Sequence, residues 1–85
     1  GPAGPQGPAG PVNVAVRTAA FTSVATVQIS CNAGERALAG GWDYTGNIRV
    51  LTSQPVPNTA DATPTGWKVV LRAAASGSIY VVCAS

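Results

Sequence analysis

Histidine is absent from the 85-residue chain. That removes the commonest general base and every Ser/His/Asp or Cys/His arrangement for nucleophilic catalysis. Cysteine occurs twice, too few for a structural zinc site, which takes four nitrogen or sulfur ligands. Charge is scarce: Asp, Glu, Lys and Arg make up 9%, against roughly 25% in an ordinary globular protein. Five scattered cations against three acids leave no basic stripe for nucleic acid. No apolar run nears the ~20 residues of a membrane span, so no membrane insertion is expected. No charged start leads into an apolar core, so no signal peptide is visible. The chain opens in mid-pattern and without Met, and is expected to be a piece of a longer protein. A non-catalytic protein without metal or cofactor is the expectation these gaps leave. At 46% hydrophobic residues, the composition is the opposite of a disordered, solvating chain.

What is present divides at residue 12. Gly1, Gly4, Gly7 and Gly10 stand at a strict period of three, each followed by proline (Pro2, Pro5, Pro8, Pro11). This is the collagen pattern: three polyproline-II strands wind together only where every third residue is Gly, because nothing larger fits at their shared axis. Asn13 fills the next glycine slot and ends the register. Residues 1–12 therefore read as the end of a collagen-like stalk, with those four glycines on its axis. Every proline follows Gly directly, and none holds the third slot where animal collagens carry hydroxyproline. That points to a bacterial or viral source. Twelve residues make a rod of only ~35 Å, too short to hold three chains together. A homotrimer is expected, with the following domain assembling it.

From 13 to 85 the texture is that of a compact all-β domain, a small β-sandwich or barrel. β-branched residues alternate with polar ones, and Gly/Pro/Asn/Asp clusters divide the segments. Residues 23–31 place Ala25, Val27, Ile29 and Cys31 on one face. Residues 67–73 turn Trp67, Val69, Leu71 and Ala73 inward and Lys68 and Arg72 outward. Residues 78–84 align Ile79, Val81 and Cys83. Weaker strands are expected at 13–18, 36–39 and 47–52, six in all. Turns are expected at 32–34, 45–47 and 75–77, with a long loop from Pro55 to Gly66.

A domain this small needs a staple or a partner. Cys31 and Cys83 each fall on the apolar face of a strong strand. An intrachain disulfide is the preferred reading, against two buried free thiols in a reducing compartment. A disulfide implies an oxidising destination such as a cell surface or the outside of a virion. Residues just after the rod lie nearest its axis, which makes Val12, Val14, Val16 and Phe21 candidates for the trimer interface. Ordinary intrachain core is the alternative for each.

Two stretches resemble small β modules of secreted bacterial and phage proteins. One is Cys31-Asn-Ala-Gly-Glu-Arg-Ala-Leu-Ala-Gly-Gly-Trp-Asp; the other is Gly66-Trp67-Lys68-Val69 with Tyr80-Val81-Val82-Cys83-Ala84. The resemblance covers roughly 31–84 and implies pairing of the two cysteines. With the upstream Gly-Pro-x array, the whole resembles the C-terminal trimerising head of bacterial or phage collagen-like proteins. It implies a structural module that trimerises, registers and nucleates the triple helix. A receptor- or glycan-binding tip of a phage fibre or surface adhesin is the alternative, carried by Trp42, Trp67, Asn58 and Asp61 with a cell-surface receptor or glycan as partner. Gly40-Gly41 before Trp42 suits a bulge or tight bend with φ > 0 that lets a bulky ring pack over bare backbone. Of the acids, Glu35 and Asp43 would be the only pair for glycoside acid/base work, and solvated or turn roles are preferred for both. Asp43 and Asp61 lack calcium-loop spacing, and Asp61, followed by Ala62-Thr63-Pro64, reads as turn chemistry. Lys68, facing outward, is a poor candidate for an isopeptide cross-link.

Overall fold

The computed structural model describes residues 13–85; the collagen-like repeat and Val12 lie outside the described residues. The domain is all-β, with strands β1 (Val14–Ser30), β2 (Arg36–Tyr44), β3 (Val50–Val56) and β4 (Gly66–Ala84). They form one antiparallel sheet in which the last strand is central. β1 runs along one edge of β4 for its whole length, from Val14 opposite Ala84 to Ser30 opposite Gly66. The other edge of β4 is shared: β2 takes residues 77–84 and β3 takes residues 66–71.

This divides the sheet into a β2 half and a β3 half, joined by a corner. At the corner the β1–β4 register slips twice, between Phe21 and Val24 and between Val24 and Thr26. Extra residues of this kind bend a strand and increase its twist. Ser23 adopts a left-handed conformation there, with φ of 52°. Ser76 ties the corner: its hydroxyl accepts from the Ser23 N–H (3.1 Å), and its carbonyl accepts from the Thr45 N–H (3.2 Å).

The bend closes the two halves on each other. Gly66 to Cys83 is 17 steps along β4 (83 − 66), which would span roughly 55 Å if straight. Yet Ser30 pairs with Gly66, and the next residue, Cys31, lies 5.9 Å (Cα–Cα) from Cys83 in a disulfide. The bond therefore clasps the open ends of a folded strip, with the corner as its hinge.

The core lies between the halves. Directly opposed residues of an antiparallel pair share a face. The inner face carries Ile79, Val81 and Cys83 from the β2 half and Val27, Val69 and Leu71 from the β3 half, all buried. One cluster joins Phe21 and Ile79 to Val27, Val69 and Leu71; a second joins Ala37, Val81 and Cys83 to Ile29 and Trp67. The alternation expected in all three strong segments holds, except that Ala73 is exposed at the corner. Six expected strands become four, because 13–18 and 23–31 merge into β1, and 67–73 and 78–84 merge into β4. The turn expected at 75–77 is part of β4, whereas those at 32–34 and 45–47 are in place.

Candidate interaction surface

Asn32, Ala33, Gly34 and Glu35 make the turn that leads into β2. The Glu35 N–H donates to the Asn32 carbonyl at 3.1 Å, and Gly34 sits at φ +83°, a conformation that costs glycine little. The Glu35 carboxylate then folds back to accept the Asn32 N–H at 2.9 Å. It also receives both arms of the Arg17 guanidinium from β1, Nε at 3.2 Å and Nη2 closer still. This fork beside the disulfide joins the start of β1 to the start of β2. Arg17 and then the Asn32 amide hold the Glu35 carboxyl below its ordinary value of 4.5.

A group depressed on folding adds stability that is present above its ordinary value and is lost as pH falls through the folded one. The melting temperature of the wild type should therefore fall faster than that of Glu35→Gln as pH drops below about 4.5. Parallel thermal-melt curves between neutral pH and strong acid would remove the ion pair from the acid response.

Glu35 and Asp43 sit at opposite ends of β2, eight steps (43 − 35) or roughly 26 Å along an extended strand. Paired carboxylates of glycosidases stand about 5–9.5 Å apart, so these two do not share a glycosidic bond. Ligand atoms of Cys31, Glu35 and Cys83 lie within 4.8 Å of one another. Their sulfurs are bonded to each other, and the carboxylate is already occupied by Arg17 and Asn32. No cleft or cavity opens among the described residues.

The alternative binding residues lie in unlike settings. Trp67 is half-buried, and its indole N–H donates to Ser53 Oγ at 2.9 Å. Its ring covers Gly40, where a Cβ would fall inside the indole. The bare backbone expected under a bulky ring is thus there, though the ring is that of Trp67 and not of neighbouring Trp42; neither Gly40 nor Gly41 takes a positive φ, and the bulge in β2 lies at Leu38 instead. Trp42 is 40% exposed. Asn58 and Asp61 lie on the exposed loop between β3 and β4. That loop is closed by the Thr65 N–H on the Val56 carbonyl (2.7 Å), and Asn58 donates to Gln54 Oε1 (3.2 Å). Asp61 sits at φ +67° in the turn Thr59–Ala62, consistent with the turn role read from its neighbours.

The candidate trimer residues divide cleanly. Phe21, 8% exposed, belongs to the chain's own core. Val14 and Val16 point the other way, 57% and 60% exposed, on the outer face of the β2 half. Compared with known proteins, the chain matches no family model, no curated protein and no solved structure. Sequence reasoning missed Leu38, 54% exposed. It is the extra residue of a bulge between Ala37 and Ala39, and simple alternation gives no warning of a bulge.

Proposed function

We propose that residues 13–85 form the trimerising and register-setting cap of a collagen-like stalk. The observation that carries this reading is the junction: the Gly-Pro-x repeat runs within two residues into β1, whose first valines, Val14 and Val16, stand unburied on the sheet surface. A triple helix exists only as three chains, so each rod end brings three copies of this surface together. Joining the chains at one end turns a trimolecular nucleation into zipping within one complex, at an effective concentration in the mM range. The disulfide suits an oxidising location, and a bacterial cell surface or the fibre of a virion fits a stalk with a terminal cap.

Light scattering of the full chain over a dilution series tests the reading. A trimer persisting at low micromolar concentration is expected, with a triple-helix circular dichroism signal that a peptide of residues 1–12 alone lacks. A monomeric chain, or a peptide that winds without the domain, overturns it. Exposed Trp42 favours a second reading, a receptor- or glycan-binding tip. It is the weaker one, because Trp67 is half-buried against Gly40 and its indole N–H is already held by Ser53.

A further inference from the structure

The two halves of the folded sheet have unlike outer faces. On the β3 half, the outward rows are mostly polar: Thr26, Val70 and Thr52, then Gln28, Lys68 and Gln54, then Ser30, Gly66 and Val56, with the bulged Leu51 its one strongly exposed large apolar side chain. Such a face is at home in water. On the β2 half, Val14 stands beside Ala84, Val16 beside Val82, and Thr18 beside Tyr80. The β2 neighbours of Val82 and Tyr80 are Ala39 and Gly41, and the bulged Leu38 adds its side chain beside this surface. Charge appears only at the two ends of the β2 row, Arg36 and Asp43. An apolar centre with a charged rim is the anatomy of a protein–protein contact.

We infer that the outer face of the β2 half is where three copies of this chain meet around the stalk axis, with Val16, Val82 and Leu38 at the centre. The inference rests on the trimer reading and adds the surface and its orientation. The occupant follows from the chain itself. Val14 is four residues beyond Gly10, so it lies at most ~14 Å along the backbone from the stalk axis. Three copies of Val14 and Val16 are therefore tethered within reach of one another. The polar β3 half, at the far side of the corner, is left facing solvent. The free edge of β1 offers a rival contact, but pairing along that edge would leave the valines and Leu38 in water.

The test uses the full chain in four forms: wild type, Val16→Lys, Leu38→Glu and, on the polar outer face, Gln28→Lys. Val16 and Leu38 are more than half exposed in the single chain, so their replacement leaves the folded subunit intact, which melting and near-ultraviolet dichroism confirm. Like charges pressed together at an interface cost several kcal/mol, about a hundred-fold or more in affinity. Val16→Lys and Leu38→Glu should each raise the concentration at which half the chains are trimeric by at least about that factor, and Gln28→Lys should leave it unchanged. A trimeric wild type whose Val16→Lys and Leu38→Glu variants dissociate no more than Gln28→Lys overturns the surface and spares the trimer reading. A wild type that is not trimeric overturns both.

Discussion

Reduction of the Cys31–Cys83 bond is expected to lower the melting temperature of the domain by about 15–30 °C. The bond closes a loop of 52 residues, and the chain-entropy account gives ~4 kcal/mol for a loop of that length. A domain of this size loses about 4–8 °C per kcal/mol. The geometry argues for the full effect, because the bond joins the two ends that the bend must bring together. Without it, the halves are held by the corner, by the apolar contacts between them and by the Ala37 N–H on the Pro64 carbonyl. The measurement is a pair of thermal melts with and without reductant, repeated on the Cys31→Ala/Cys83→Ala double variant. Oxidised and reduced forms melting within about 5 °C of each other would show that packing alone holds the strip closed.

Gly40→Ala should cost about 3 kcal/mol, whereas Gly41→Ala should cost nothing or stabilise slightly. The two glycines are adjacent in β2 and chemically identical, but only one has a neighbour. A methyl on Gly40 would meet Cγ and the adjoining ring atoms of Trp67; one on Gly41 would meet nothing within 4 Å. Those indole atoms are the ones nearest the backbone, so a rotamer change cannot carry them clear. Either β2 moves away from the β3 half or Trp67 leaves its place, and both open the contact around Val81 and Cys83. Overpacking of a core costs about 1–3 kcal/mol, and the upper end applies where a ring base cannot yield. In Gly41→Ala the only change is the lower backbone entropy of alanine in the unfolded chain. Chemical denaturation followed by tryptophan fluorescence reads both. Equal stability of the two variants would mean that Trp67 does not pack on Gly40 in solution.

Much of the inner face was legible in the sequence, because period-2 alternation survives wherever a strand has one dry side and one wet side. Val27, Val69, Leu71, Ile79, Val81 and Cys83 were placed by that rule, and all are buried. Strand number was not legible, for a definite reason. Gly77 after Ala75-Ser76 resembles a turn signal, yet its lack of a side chain serves a close approach of backbone, since a Cβ there would strike the Asp43 carbonyl. Similarly, the alternation lapses after 18, yet pairing runs in register to Phe21 and resumes beyond the bend, which lies between Phe21 and Thr26. Local sequence records that something happens at such a point, but bend and reversal leave the same mark. The outer face of the β2 half was half legible: Val14 and Val16 stood out by position after the repeat, while Val82 and Leu38 join them only through the β4 register and a bulge. Phe21, grouped with the valines by nearness in sequence, has odd parity on β1 and so falls on the opposite face.

Strand order carries a consequence for how the protein is made. β1, β2 and β3 each hydrogen-bond to β4, and β4 is the last of them to leave the ribosome. A nascent chain that has not yet reached Gly66 has three strands without a ladder partner, and Val14 must wait seventy residues (84 − 14) for Ala84. Pairings so distant in sequence form slowly. Translation that stops short of β4 yields a chain with nothing to fold around and no second cysteine to oxidise. Such a product cannot complete the domain, and only chains read through β4 can fold.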